Sequence, residues 1–248
     1  TVPKEAQGSS IISGREVRIG GMAKGSGMIH PNMATMIAVL TTDAAITHKA
    51  LKRALKEAAD ASFNRISVDG DTSVCDKVLV LASGRAQNQI IEEGSANYTT
   101  FKKMLQTVCE ALAKKLAADG EGATKLLTIE IKGARSTRDA HKIAQAIAKS
   151  PLCKTAAFGN DANWGRLLTA AGYSGASFDP DKVDIFVGDV QVCAKGGGLA
   201  FDEAAALKML QRDEVVYLLD LHDGSAEDTM WTCELSPDYV RINADYRT

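Results

Sequence analysis

No apolar run in this chain approaches the roughly 18 residues that a membrane-crossing helix requires, so a helical membrane span is not expected. Positive charge is not in surplus either. Against 31 Asp and Glu stand 29 Lys and Arg, a net of −2, so the clustered positive field that nucleic acid or an anionic membrane demands is missing. The five cysteines, Cys75, Cys109, Cys153, Cys193 and Cys233, are odd in number, widely spaced and without a CxxC pair. They are expected to be reduced, mostly buried apolar residues rather than metal ligands or bridges. Gly196-Gly-Gly198 lacks the Lys-Ser/Thr ending of a P-loop and the spacing of a dinucleotide fingerprint, and reads as a flexible turn. There is no initiator Met, and Thr1-Val-Pro-Lys-Glu5 has no signal-peptide architecture. The expectation is a fragment or processed product with a segment upstream of it, cytoplasmic, acting on small molecules.

What is present is a chain of 248 residues, 45% hydrophobic, with enough apolar material for one large or two modest domains. Its most informative stretch is Lys24-Gly-Ser-Gly-Met-Ile-His-Pro-Asn-Met-Ala-Thr-Met-Ile37. Gly25 and Gly27 allow a tight turn, Pro31 holds His30 in extended or turn geometry, and small Ala34 precedes a hydroxyl residue that opens the apolar run Met36 to Leu40. Thr35 therefore sits where a glycine-rich loop enters a buried strand. A β-hydroxyl held there can attack the preceding carbonyl to give an ester that water cleaves. The new chain would begin at Thr35, whose α-amine, with a reference pKa of about 7.7 to 8.0, can act as base for its own hydroxyl. The plainer alternative is a β-branched residue placed at a strand head for packing alone.

Elsewhere the patterning alternates strand-like and helix-like segments, an α/β chain of mixed α+β type. Arg15 to Ile19 reads as a half-buried strand; Thr47 caps a helix with Leu51, Leu55 and Ala58 inward; Ile66-Ser-Val68 runs into a turn at Asp69-Gly-Asp71. That Asp pair is better explained by aspartates bonded to backbone amides than by a metal site. Lys77 to Ser83 is expected in the core, and Thr99 to Ala118 has helical spacing that ends at Asp119-Gly120 and delivers Glu121 on a glycine-flanked loop with room for a ligand. A second region starts near residue 125. Leu127 to Ile131 is a strand, Ser136 or Thr137 caps a helix with Ile143, Ala146 and Ile147 inward, and Pro151 stops it. Thr155 to Phe158 reads as a strand, followed by a turn and short helix where Trp164 and Arg166 either clamp a carboxylate or lock the turn. Gly188-Asp189 joins a hairpin, Asp202 caps a helix, Val215 to Leu221 and Met230 to Leu235 could pair, and Tyr239 to Thr248 shows no helical pattern.

Five ordered motifs carry a resemblance along the whole chain. Asn32-Met-Ala-Thr-Met36 between Lys24-Gly-Ser-Gly-Met28 and Thr41-Thr-Asp-Ala44, then Asp69-Gly-Asp-Thr-Ser73, Gly120-Glu-Gly-Ala-Thr124, Asn163-Trp-Gly-Arg166 and Arg241 to Thr248 resemble the self-processing ornithine acetyltransferase family of arginine biosynthesis. The sequence departs from the family at Val74-Cys75, where Thr-Asn is usual, which weakens any role carried over to that loop.

The resemblance implies layered sheets and helices, a catalytic core over residues 1–124, and a C-terminal α+β region over residues 125–248 whose tail returns to the active site. It implies scission between Ala34 and Thr35, Thr35 as nucleophile, and Thr1, Lys24, Thr35, Glu121, Asn243 and Thr248 as substrate contacts, with no metal. The implied reaction passes an acetyl group from N-acetylornithine to glutamate through an acetyl-threonine enzyme. No cofactor is needed, although acetyl-CoA is an alternative acetyl donor for some members. The implied partner is an upstream α-chain segment carrying the oxyanion donors, in an α/β heterotetramer. Two other readings remain open at this stage: a self-processing aminopeptidase with an N-terminal nucleophile, and a non-catalytic amino-acid-binding module.

Overall fold

The computed structural model describes residues 2–30, 36–73 and 76–245. The backbone divides into two units, Thr1–Leu116 and Ala117–Thr248, each with its own sheet. The divide falls before the Gly120 to Thr124 loop, whereas the sequence pattern places it after Thr124.

In the first unit, β1 (Glu5–Ile12) and β2 (Arg15–Lys24) form a hairpin whose turn residues, Ser13 and Gly14, both take positive φ, the backbone that two-residue hairpin turns require. Next comes β3 (Ile37–Thr42), antiparallel to β2, and then β4 (Lys77–Ala82), parallel to β3, giving the order β1-β2-β3-β4. Helices α1 (His48–Asp60) and α2 (Ala96–Ala118) complete the unit. Thr47 caps α1 as expected, its Oγ1 accepting from the Ala50 amide at 3.3 Å. The buried face of α1 is nonetheless the alanine row Ala50, Ala54 and Ala58, with Leu51 and Leu55 only half-buried. On α2 the sequence periodicity holds: Phe101, Leu105, Val108, Leu112 and Leu116 are all buried. Its Leu112 lies close enough to β2 that a Cβ on Gly21 would stand 3.3 Å from that side chain and 2.9 Å from Leu40.

One expectation fails in this unit. Lys77 to Ala82 is a strand but not a core one. It sits at the sheet edge, and Leu79 and Leu81 are 50% and 60% exposed. An apolar run tells of burial only when both faces are covered, and here one is not. Ile66, Ser67 and Val68, ahead of the Asp69 turn, are all buried.

The second unit contains β5 (Leu126–Ala134), α3 (Thr137–Lys149), α4 (Pro151–Phe158), α5 (Trp164–Gly172), β6 (Asp184–Val187), β7 (Val190–Ala194), β8 (Gly197–Gly198), α6 (Glu203–Leu210), β9 (Glu214–Asp220), β10 (Ala226–Cys233) and α7 (Pro237–Asp245). Its sheet runs β10-β5-β9-β6-β7-β8. Ile129 and Ile131 of β5, Ile143 and Ile147 of α3, Ile185 of β6 and Leu219 of β9 belong to one core.

Four expectations are corrected here. Strands β9 and β10 do not pair with each other, because β5 lies between them, parallel to β9 and antiparallel to β10. Residues 155–158 are helix, not strand: Pro151 both ends α3 and occupies the first turn of α4, where a missing N–H costs nothing, and Ser150 Oγ caps the new helix through the Cys153 amide at 3.3 Å. The tail is helical through Asp245, with Pro237 again at the start. In α3 the inner small residues are Ala144 and Ala148 rather than Ala146. The hairpin at Gly188-Asp189, the Ser136 cap of α3 and the Asp202 cap of α6 form as the sequence indicates, whereas of the glycines expected in a turn at 196–198 only Gly196 turns, Gly197 and Gly198 forming β8 against β7.

Candidate active site

The glycine-rich loop that follows β2 is fastened from the Asp69 turn. Gly25 has φ 147° and Met28 φ 53°, conformations that need outside support at a non-glycine residue. Asp69 supplies it. Its carboxylate accepts from the Met28 amide at 2.6 Å, the Ile29 amide at 3.1 Å and the Asp71 amide at 3.2 Å, while the Ile29 carbonyl accepts from the Val68 amide at 2.7 Å. So the aspartate does bond to backbone amides, but two of the three belong to a loop some forty residues back. Buried His30 adds an Nδ1 contact to Ser67 Oγ at 3.2 Å.

The re-entry into β3 is held the same way. The Met36 amide donates to Asp76 Oδ1 at 2.7 Å and the Met36 carbonyl accepts from the Lys77 amide at 3.1 Å, so Met36 is gripped on both sides by the start of β4. Asp76 is buried, and its Oδ2 meets no hydrogen-bond partner among the described residues. Burial pushes its carboxyl pKa up, partly offset by the Met36 amide and by the charge of Lys24. Lys24 itself ends β2 opposite Ile37, exposed.

In the second unit, Glu121 lies half-buried in the loop after α2, and Asn243 of α7 donates from Nδ2 to its Oε2 at 2.9 Å. The same Asn243 group donates to the Tyr239 carbonyl at 3.0 Å, which fixes the amide's orientation. Glu121 Oε1 accepts no hydrogen bond among the described residues and keeps its full capacity for a cationic donor. Gly122 has φ 70°, and a Cβ there would lie 2.5 Å from the Tyr239 nitrogen. The space beside Glu121 on that side is thus occupied by the first turn of α7, not left open for a ligand. Ser236 Oγ donates to the Gly122 carbonyl at 2.7 Å. Beneath the loop, buried Glu234 accepts from the Thr124 amide at 2.5 Å, Thr124 Oγ1 at 2.8 Å and the Lys125 amide at 2.9 Å.

Of the residues expected to act, Lys24, Glu121 and Asn243 are described, and Glu121 and Asn243 touch. Thr1, Ala34, Thr35 and Thr248 lie outside the described residues, as does the Val74-Cys75 pair. Trp164 and Arg166 lock structure: Arg166 Nη1 donates to the Leu152 carbonyl at 2.9 Å, and Trp164 lies where a Cβ on Gly198 would meet it at 2.7 Å. Sequence reasoning missed Asp76 and Glu234. A carboxylate bordering an apolar strand, as each does, was the available signal. Among the described residues no group of three or more His, Cys, Asp or Glu could hold a metal, and no helix is long and apolar enough to cross a membrane.

Residues 1–248 match the ArgJ family. The chain is 56% identical, over all of its 248 residues, to the arginine biosynthesis bifunctional protein ArgJ of Symbiobacterium thermophilum, of which it covers 62%. The chain belongs to the ArgJ family. It is also 46% identical over 248 residues to the ArgJ of Bacillus subtilis, covering 61% of that protein. Among solved structures, the arginine biosynthesis bifunctional protein argJ from Bacillus halodurans superposes with a TM-score of 0.80 at 43% identity, covering 83% of this chain and 97% of that one. The chain therefore spans about three fifths of the length of the curated ArgJ relatives it matches, and its mixed α/β fold is that of an ArgJ crystal structure.

Proposed function

We propose that this chain carries the acyl-transfer machinery of an ArgJ enzyme, moving an acetyl group from N-acetylornithine to glutamate after scission between Ala34 and Thr35. The free Thr35 amine draws the proton from its own hydroxyl, and the oxygen attacks the acetyl carbonyl. The C–N bond to ornithine breaks, the leaving amine takes the proton, and an acetyl ester remains on Thr35. Glutamate then attacks that ester through its amine and regenerates the hydroxyl. Lys24 serves as a mobile positive charge for a substrate carboxylate. Glu121 receives a substrate ammonium group, with Asn243, Thr248 and Thr1 completing the amino-acid contacts. Positioning of this kind lowers the barrier by on the order of several kcal/mol. The oxyanion donors come from an upstream α-chain segment, the assembly is an α/β heterotetramer, acetyl-CoA is at most an alternative donor, and the enzyme is cytoplasmic.

The observation that supports this reading most directly is the Asn243–Glu121 hydrogen bond, which joins two of the positions the family resemblance assigns to substrate binding. The test is transfer of label from N-[¹⁴C]acetylornithine to glutamate by the full-length gene product. Label appearing in N-acetylglutamate without acetyl-CoA is expected. Hydrolysis of aminoacyl amides without transfer would instead identify an aminopeptidase, and binding without either reaction a passive module.

A further inference from the structure

Glu121 stands at the corner of a tight turn. The Ala123 amide donates to the Gly120 carbonyl at 2.9 Å, and Gly122, with φ 70°, takes the third place of a type II β-turn, where positive φ is required. The Gly122 carbonyl is held from outside by Ser236 Oγ, which donates to it at 2.7 Å. That hydroxyl has a second task. Ser236 precedes Pro237 at the start of α7, and its Oγ accepts from the Tyr239 amide at 3.4 Å, the bond of a helix N-cap. The proton of this one oxygen serves the Glu121 turn, and its lone pairs serve the first turn of α7.

We propose that Ser236 is a positioning residue for substrate binding: its hydroxyl sets where α7 meets the turn, and so where the Asn243 amide meets the Glu121 carboxylate. The inference rests on the reading of Glu121 as the receptor for a substrate ammonium group, and Ser236 acts through that carboxylate. Asn243 lies about two helical turns beyond Ser236, which returns it to the face that Ser236 presents to the loop. It donates from Nδ2 to Glu121 Oε2 at 2.9 Å and to the Tyr239 carbonyl at 3.0 Å. No residue of α7 is buried, so hydrogen bonds at its two ends, not core packing, fix the helix against the loop.

A separate anchor at the far end of the loop makes the effect of Ser236 selective. Buried Glu234 accepts from the Thr124 amide at 2.5 Å and from the Lys125 amide at 2.9 Å, and neither bond passes through Ser236. Loss of the hydroxyl at position 236 therefore leaves the loop attached behind Glu121 while releasing the Gly122 carbonyl in front of it. Side-chain packing cannot replace the tie. A Cβ on Gly122 would lie 2.5 Å from the Tyr239 nitrogen and 2.8 Å from Ser236 Oγ, so loop and helix meet there through backbone and hydroxyl alone.

The experiment is steady-state kinetics of the full-length gene product with N-acetylornithine and glutamate, for wild type, Ser236→Gly, Ser236→Thr, Glu121→Gln and the double variant of Ser236→Gly with Glu121→Gln. Glycine is itself a good N-cap, so Ser236→Gly keeps the helix start while removing the donor, and Ser236→Thr keeps both functions. Ser236→Gly is expected to raise KM for N-acetylornithine about tenfold with kcat within about twofold of wild type, and Ser236→Thr to hold KM within about twofold. In the Glu121→Gln background Ser236→Gly is expected to change KM by less than about twofold, because the carboxylate it misplaces is already gone. Should Ser236→Gly precipitate, Ser236→Ala is read in its place against the same figures. A wild-type KM for Ser236→Gly, beside a Glu121→Gln variant that has lost kcat/KM, would overturn the role of Ser236 and leave the Glu121 reading intact. A rise in KM that persists undiminished in the Glu121→Gln background would overturn it too. Unaltered kcat/KM for Glu121→Gln would overturn the Glu121 reading itself.

Discussion

Asn243 and Glu121, 122 positions apart in the chain, are joined by a 2.9 Å hydrogen bond in which the amide donates and the carboxylate accepts. The bond fixes one oxygen of the Glu121 carboxylate, and the role proposed for Glu121 is to hold a substrate ammonium group with the other. Neutralising the receptor while keeping its shape isolates its contribution. Glu121→Gln is expected to lower kcat/KM for N-acetylornithine about thirtyfold, close to 2 kcal/mol, with thermal melting unchanged within a degree or so. An unaltered kcat/KM would remove Glu121 from substrate binding.

Gly122 tests the neighbouring contact between loop and tail. Alanine there must hold φ 70° with its Cβ 2.5 Å from the Tyr239 nitrogen, so either the loop or α7 has to move. Gly122→Ala is expected to cost about 2 kcal/mol, a drop of roughly 4 to 8 °C in Tm for a chain of this size, and to raise KM by displacing Asn243. A variant that melts with wild type would mean that α7 docks only loosely.

Glu234 anchors the other end of the loop. Removing it strands the Thr124 and Lys125 amides, both of which bond to its carboxylate in a buried setting. Glu234→Ala is expected to destabilise by about 3 kcal/mol in calorimetry, and Glu234→Gln by about half that, since one amide oxygen can still accept. The reverse order would contradict the clamp.

A pH-dependent element lies far from the reaction. Burial pushes the Asp184 carboxyl up, but the Lys195 amide at 2.9 Å and the His222 ring at 2.9 Å outweigh it, and the net pKa lies below the usual carboxylate value. A lowered folded pKa contributes stability above the unfolded carboxylate value near 3.9, and that contribution is lost as pH falls through the folded value. Asp184→Asn is accordingly expected to lose about 1 kcal/mol at pH 7 and much less at pH 3 in urea titrations. A loss that grows on acidification would reverse the sign and refute the assignment.

The four described cysteines are buried and free, and burial pushes the Cys109 thiol up to about 12. Ellman's reagent at pH 8 is expected to leave them unlabelled in the native protein and to label them on unfolding. Fast native labelling at Cys109 would show that α2 opens.

The legibility of the fold in the sequence followed how local each signal was. Thr47, Ser136 and Asp202 announce their helices because a cap acts within three residues, and Gly188-Asp189 announces its hairpin for the same reason. Pairing across the sheet is not local: β9 and β10 look like neighbours in sequence, yet β5 claims the place between them from nearly a hundred residues away. Helix α7 was hidden because its only local cue, Pro237 at the first turn, precedes a polar tail that owes its order to Ser236, Gly122 and Glu121. At the candidate site, motif positions such as Glu121 and Asn243 could be read from family likeness. Asp76 and Glu234 could not, since an isolated carboxylate beside an apolar run shows its purpose only when the amides it serves are seen.

The central claim concerns one oxygen atom, and intact-mass spectrometry of the full-length gene product after brief exposure to N-acetylornithine addresses it directly. The expected result is a fragment beginning at Thr35 that gains about 42 Da, with the gain removed by glutamate and with Thr35→Ala remaining one uncut, unmodified chain. A wild-type protein that transfers acetyl groups while its mass shows neither a Thr35 terminus nor the adduct would contradict the account.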